Sequence, residues 1–250
     1  MSGHNRWSKI KGKKLAGDRK RSVGWGKFLR EITLTARIGG GDPANNTGLR
    51  VAIERARADN MPNDTIQRAI KKGIGELGDL HVEELLYEAY GPGGSAMVIE
   101  ILTDNRNRTA QEVRSLLDRY NARIGASGSV LYLFKRRGSM AFEAGAVDEE
   151  KLLEAALDLG ADDVQSGDGV LTVLTDPAAY FAVKEGLEQK GLKPVESGLG
   201  FLPDTTVRLD GKVAEAMARL LAALEEHDDV KNVYANAEID DEIFDRVAGG

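Results

Sequence analysis

The apolar residues of this chain change their period near residue 75, and that change limits what the chain can fold into. Trp25, Phe28, Leu29, Ile32 and Ala36 stand at i, i+3, i+4, i+7 and i+11, a single stripe along an α-helix. Gly39-Gly40-Gly41 ends it. Leu49, Ala52, Ile53 and Ala56 repeat the spacing in a second helix. Ile66, Ala69 and Ile70 mark a third, with Pro62 suited to its first turn, Asp64 near its positive end and Lys71-Lys72-Gly73 closing it. Three short amphipathic helices can bury their stripes only against one another, so residues 1–75 are predicted to be a helical domain led by a basic arm over residues 1–22.

After the polar link around Gly73–Asp79 the period becomes two. Leu86–Tyr90 and Ala96–Leu102 read as strands joined by the turn Gly91-Pro92-Gly93-Gly94. Thr109-Ala110-Gln111-Glu112 has the spacing of a capping box that opens a helix with Val113, Leu116 and Leu117 inside, and Val130–Phe134 reads as a strand. Residues 139–200 then give a strand at Met140–Phe142, a helix at Glu149–Leu159, strands at Asp163–Gln165 and Val170–Leu174, a helix at Pro177–Gln189 and a strand at Lys193–Ser197. That order, βαββαβ, is ferredoxin-like. A helix at Val213–Leu224 and a strand at Val230–Ala235 supply the missing half of the earlier sheet. The predicted fold is α+β: a three-helix domain over 1–75, then two α/β sandwich domains. The middle one is discontinuous, over 80–137 and 203–240, and the ferredoxin-like unit, 138–202, is inserted into it.

Charge divides the chain at the same place. Residues 1–75 hold 17 Lys and Arg against 6 Asp and Glu, while the remaining 175 residues hold 17 against 34. A polyanion is therefore attracted to one end and repelled by the rest, although the whole chain has a net charge of −6. Arg6, Lys9, Lys11, Lys13, Lys14, Arg19, Lys20 and Arg21 fill the arm, and Lys27 and Arg30 continue the series into the first helix. Lys9, Lys11, Lys13, Lys14, Lys20, Arg21, Lys27 and Arg30 provide on the order of 6–8 phosphate contacts, enough for affinity that falls steeply with salt. Trp7 among them has a flat face to stack on a base, a contact worth roughly 1–3 kcal/mol. Lys71 and Lys72 add charge at the end of the third helix. The expected partner is DNA or RNA, ribosomal RNA included, and the residue types do not distinguish them; the oligomeric state is left open.

A second, smaller site is expected in Thr103-Asp104-Asn105-Arg106-Asn107-Arg108-Thr109, where Arg106 and Arg108 offer guanidinium forks to a phosphate or a carboxylate, while Asp104, Asn105 and Thr109 are suited to backbone capping. Other chemistry finds little footing. With no cysteine in the chain, disulfides, thiol catalysis and cysteine-bound zinc are excluded, and a reducing, cytoplasmic setting is expected. His4, His81 and His227 are scattered without a second ligand at i+3 or i+4. Asp162-Asp163, Asp168 and Asp240-Asp241-Glu242 are the only motive for a metal-dependent enzyme, and acid pairs of this kind generally face water. Gly91-Pro92-Gly93-Gly94-Ser95-Ala96 matches a dinucleotide fingerprint in spacing, but a strand follows it where pyrophosphate needs a helix N-terminus. No cofactor, no catalytic residue, no metal and no membrane contact are expected, and the first residues lack the apolar core of a secretory signal.

Several segments stand together in a recognisable order. They are Gly3-His4, Trp7-x-x-Ile10-Lys11, Asp18-x-Lys20-Arg21, Arg30-Glu31-Ile32, Gly40-Gly41-Asp42-Pro43 and Asn60-Met61-Pro62 running on to Lys71-Lys72-Gly73. Tyr90-Gly91-Pro92-Gly93-Gly94, Leu102 through Thr109, Gly128-Ser129-Val130 and Val233-Tyr234-x-Asn236 follow. With these the chain resembles the YebC family of bacterial probable transcriptional regulators, whose mitochondrial relatives are translational activators of cytochrome oxidase. The resemblance runs from residue 3 to about residue 240, densest over 1–135. It implies three domains around a cleft, a cytoplasmic protein without cofactor or enzymatic activity, and nucleic-acid binding in the control of transcription or, alternatively, of translation at the ribosome. The chain departs from the family where Gly12 replaces a usual His and at Ser22-Val23-Gly24, which lacks a usual lysine.

Overall fold

The computed structural model describes residues 21–77, 82–167 and 169–248. The arm expected over residues 1–22 lies outside them except for its last two residues. Three helices come first: α1 (Arg21–Gly39), α2 (Thr47–Ala58) and α3 (Asn63–Gly73). Their stripes meet as predicted, with Ile32, Ala36, Leu49, Ala52, Ile53, Ala56, Ile66, Ala69 and Ile70 buried in one cluster and Trp25, Phe28 and Leu29 against its edge. Gly40, at φ +84°, takes the left-handed conformation that ends α1. Gly73 marks a second requirement: a Cβ there would lie 2.4 Å from the Thr33 carbonyl oxygen, so α3 meets α1 backbone to backbone.

Asn46 joins the first two helices. Its Oδ1 accepts from the Leu49 N–H at 3.0 Å and caps α2, while its Nδ2 donates to the carbonyls of Thr35 at 2.7 Å and Gly40 at 2.9 Å. Asn46→Ala is expected to lower stability by about 2 kcal/mol, the upper end for a lost cap, because it also strands two acceptors. Asn46→Asp, which keeps the cap and loses both donors, should recover about half of that in urea unfolding.

The next elements are β1 (Glu83–Tyr90), β2 (Ala96–Thr103), α4 (Arg106–Arg119) and β3 (Arg123–Ile124). The turn between β1 and β2 is the expected hairpin, and the strands pair antiparallel from Tyr90↔Ala96 to Glu83↔Thr103. The chain then leaves this sheet for β4 (Phe134–Glu143), α5 (Glu149–Asp158), β5 (Asp163–Gly167), β6 (Val170–Thr175), α6 (Tyr180–Gln189) and β7 (Glu196–Pro203). It returns with β8 (Val207–Arg208), α7 (Gly211–Glu226), β9 (Val230–Ala235), β10 (Ala237–Glu238) and α8 (Asp241–Ala248). The first sheet has the order β3-β1-β2-β9 and the second β5-β6-β4-β7; both are antiparallel, and the second is the ferredoxin-like order. Met97, Ile99 and Ile101 of β2 pack with Val113 and Leu117 of α4 and the apolar stripe of α7. Residues Met140, Phe142, Leu171 and Val173 bury the other sheet under α5 and α6.

Three readings of the sequence are corrected, and one element is added. Val130–Phe134 is not a strand: Leu131–Leu133 is a single 3-10 turn, and one strand runs unbroken from Phe134 through the expected Met140–Phe142. The cause is Glu88, whose buried carboxylate accepts the N–H groups of Gly128, Val130 and Leu131 and so takes the donors a sheet partner would need. The last strand of the second sheet is Glu196–Pro203 and not Lys193–Ser197, since the register with β4 runs from Ala141↔Glu196 to Phe134↔Pro203. The capping box at Thr109 is not used. Asn105 caps α4 by accepting from the Arg108 N–H at 3.1 Å, one turn earlier, which frees the Thr109 hydroxyl for another partner. Finally α8, unforeseen, seals the first core with Ile243 and Phe244.

The two sheet-containing parts meet at Tyr234. Its ring stands edge-on to Phe201 of β7 at 5.5 Å, and its hydroxyl donates to Glu100 at 3.1 Å. A Cβ on Gly200 would come within 2.7 Å of that ring, so a side chain there would push β7 away from β9.

Candidate nucleic-acid interface

Of the predicted phosphate ligands, Trp7, Lys9, Lys11, Lys13, Lys14 and Lys20 lie outside the described residues, and Arg21 begins α1. The remaining four divide into two pairs that the structure treats differently. Lys71 and Lys72 are exposed on the last turns of α3. Arg68, which the sequence reading did not select, stands with them at i, i+3 and i+4, on the face opposite the buried Ile66, Ala69 and Ile70. Among the described residues none of the three has an acidic partner, so their charge faces solvent. Arg50 and Arg57 of α2 are exposed as well, though Arg50 stands 3.9 Å from Glu185 and Arg57 donates to Asn63 at 3.3 Å.

Lys27 and Arg30 turn inward, one helical turn apart. The Lys27 ammonium donates to the Glu225 carbonyl in the last turn of α7, the negative end of that helix. Arg30 donates to the Asp228 carbonyl at 2.8 Å and stands 3.1 Å from the carboxylate of Asp229, only 2% exposed. Glu31 continues the contact, 3.8 Å from Lys231 of β9, and Leu34 completes it against Val82 and Leu102.

Asp229 explains the polar loop between β2 and α4. Its Oδ2 accepts from the Thr109 hydroxyl at 2.6 Å and from Arg108 at 2.8 Å, and the Thr103 hydroxyl, 3.3 Å from the same oxygen, donates its single proton to the Thr109 oxygen at 2.7 Å. Burial alone would raise the Asp229 carboxyl; the hydrogen bonds from Thr109 and Arg108 and the charges of Arg30 and Arg108 outweigh it and hold the group below the usual carboxylate range. The loop is thus a socket for an internal carboxylate. Arg108 serves that socket and also pairs with Asp104 at 3.0 Å, whereas Arg106 is exposed at the start of α4. A sequence signal for Asp229 existed: Asp228 and Asp229 follow the C-terminus of a helix, where acids are disfavoured unless a cation meets them.

Around this junction lies an open groove of about 790 Å³ lined by Arg30, Arg108, Glu112, Arg119, His227 and Asp228 among others. The ligand atoms of Glu112, His227 and Asp229 fall within 4.8 Å of one another. They do not make a cation site. The Asp229 N–H donates to His227 Nδ1 at 3.1 Å, so in the neutral ring Nε2 carries the proton and donates it to Glu112 at 3.0 Å. Two guanidinium groups already neutralise Asp229. The acids named from sequence fare no better, since Asp162 pairs with Arg137 at 2.6 Å and Asp240 stands 3.7 Å from Arg208, while Asp168, His4 and His81 lie outside the described residues.

A basic three-helix bundle bound by charge to a sheet layer, with a separate, ferredoxin-like sheet formed by the residues between that layer's strands β3 and β9, is the class of protein these elements define. Comparison with known proteins gives the family. The profile of the TACO1/YebC protein N-terminal domain matches residues 5–76, and that of the TACO1/YebC second and third domain matches residues 82–237. The chain belongs to the TACO1/YebC family. It is 49% identical over 239 residues to a probable transcriptional regulatory protein of Treponema denticola, covering 96% of this chain and 97% of that one. A probable transcriptional regulatory protein of Geobacter sulfurreducens is 49% identical over 247 residues, 99% and 100% of the two chains. The crystal structure of a conserved hypothetical protein from Aquifex aeolicus matches with a TM-score of 0.82 at 45% identity, over 90% of this chain and 93% of that one. No helix among the described residues is long and apolar enough to cross a membrane.

Proposed function

We propose that this chain is a cytoplasmic, non-enzymatic regulator of gene expression that holds duplex DNA by its phosphates through the basic helical bundle. The observation that carries the reading is the row Arg68, Lys71 and Lys72, three cations on one face of α3 with no acidic partner among the described residues. Unpaired cations on a rigid helix fit backbone contact, which positions a protein on a duplex without reading its sequence. The arm residues Trp7, Lys9, Lys11, Lys13, Lys14, Lys20 and Arg21 precede the rest of the bundle in sequence, and the six cations among them add to the positive charge of that end of the chain. The names of the relatives, probable transcriptional regulatory proteins, support the class.

The test is the salt dependence of binding to a duplex. Each phosphate contact contributes about 0.9 to the slope of log K against log salt, so Lys71→Ala with Lys72→Ala should flatten it by about 2 units. Replacing Lys9, Lys11, Lys13 and Lys14 with Ala should flatten it by roughly 3 to 4 units. Unchanged slopes in both variants remove these residues from the contact. Cross-linking in cells decides the partner: recovery of ribosomal RNA in place of promoter DNA would transfer the same phosphate contacts to a translation factor.

A further inference from the structure

Two of the cations that the bundle would offer to phosphate are already spent inside the molecule. Lys27 and Arg30 lie on one face of α1, and both are directed at the turn between α7 and β9: the Glu225 carbonyl, the Asp228 carbonyl and the Asp229 carboxylate. These are oxygen acceptors at the negative end of a helix beside a carboxylate, the kind of field that a phosphate group presents.

The socket around Asp229 is built in a way that survives departure of Arg30. Oδ2 is satisfied entirely from its own side, by Arg108 and by Thr109, whose hydroxyl is in turn held by Thr103. Oδ1 is the oxygen left over, buried and without a hydrogen bond, and the guanidinium of Arg30 at 3.1 Å is the charge beside it. Arg108 therefore keeps the carboxylate ionised and oriented when Arg30 is absent. The rest of the contact between α1 and the sheet is equally charged: Glu31 with Lys231 at 3.8 Å, and Lys231 with Glu84 at 3.6 Å. Among the described residues, the buried apolar cluster at this contact is the small one of Leu34, Val82 and Leu102. The pairs of Lys231 with Glu31 and Glu84 are partly exposed, so their share of the contact weakens with ionic strength, while the better buried Arg30–Asp229 pair yields only to an anion that takes the place of Asp229.

We propose that Asp229 and the end of α7 form an internal latch, occupying Lys27 and Arg30 until a polyanion takes their place and releases the helical bundle from the sheet layer. The inference rests on the phosphate-binding reading of the bundle and adds its regulation: the closed form withholds two phosphate ligands, and binding and opening are one event. Apparent affinity is then the intrinsic affinity reduced by the fraction of molecules that are open.

The chain has no cysteine, so Gln67→Cys on α3 and Lys212→Cys at the start of α7, both exposed, put one fluorophore on the bundle and one on the sheet layer in the otherwise unchanged full chain. The expected results are a shift in transfer efficiency when a short DNA duplex is added, and the same shift without DNA in Asp229→Asn. That variant should bind the duplex about three- to tenfold tighter at low salt, as removal of a closed majority requires. Lys231→Ala weakens the same contact without touching Lys27, Arg30 or the socket. It should move both readouts in the same direction, so that a folding defect in the Asp229 variant does not decide the matter. Duplex binding with unchanged transfer efficiency, or no tightening in either variant, overturns the latch. If the duplex fails to bind while inorganic polyphosphate opens the pair and binds Asp229→Asn more tightly, the latch stands and the reading of duplex DNA as partner falls. If neither polyanion shifts the efficiency, the latch falls.

Discussion

Glu88→Ala is expected to lower the stability of this protein by about 3–5 kcal/mol, because it removes one acceptor and strands three donors. The side chain is 5% exposed, and its two oxygens receive the N–H groups of Gly128, Val130 and Leu131. Each buried donor left without a partner costs about 1–3 kcal/mol, and water entering the vacated space recovers part of the total. Glu88→Gln keeps an acceptor but turns an amide N–H₂ towards donors, so about half the loss should remain. The wild type should also respond to acid. Burial works to raise this carboxyl, the backbone hydrogen bonds from Val130, Gly128 and Leu131 outweigh it, and the folded-state value lies below the ordinary one. A depressed folded value contributes stability that is complete above the unfolded value, about 4.3, and is lost as pH falls through the folded one. Urea unfolding at pH 7 and pH 3 should therefore show a smaller difference for Glu88→Gln than for wild type. Equal acid losses would mean that the charge on Glu88 does not matter.

Leu117→Ala should cost about 3–4 kcal/mol, in the range for a leucine removed from a core that cannot collapse around the gap. Leu117 is fully buried in the cluster that α4 shares with β2 and α7. Leu116, one residue away and only partly buried at the margin of the same cluster, should cost about half as much on the same truncation. Leu117→Met, which keeps the volume, should stay below about 1.5 kcal/mol. Thermal and urea unfolding of the three variants test the order; equal losses for Leu116→Ala and Leu117→Ala would contradict the packing described.

The elements that were legible in the sequence are those whose own periodicity decides their form. The stripe from Trp25 to Ala36, the Gly-Pro-Gly-Gly hairpin and the βαββαβ order needed no partner to be read. What was not legible depends on side chains distant in sequence. Val130–Phe134 has the composition of a strand, but Glu88, some 40 residues away, claims its donors. Thr109 has the spacing of a cap, yet its hydroxyl is bound by Asp229, 120 residues on. For the same reason the basic residues could be counted from sequence but not sorted: nothing local to Lys27 and Arg30 distinguishes them from Lys71 and Lys72. Only the fold brings the end of α7 against one pair and leaves the other facing water.

The first sheet also sets an order of assembly. Its fourth strand, β9, pairs with β2 across more than a hundred intervening residues, from Met97↔Ala235 to Ile101↔Val230. During synthesis the hairpin β1–β2 is complete long before that partner exists, so one side of β2 stays open while the whole ferredoxin-like unit is made. That unit, with all its strands between Phe134 and Pro203, can close upon itself in the meantime. A nascent chain halted before residue 230 would carry a finished insert and an unfinished host, with an apolar strand edge available to other chains.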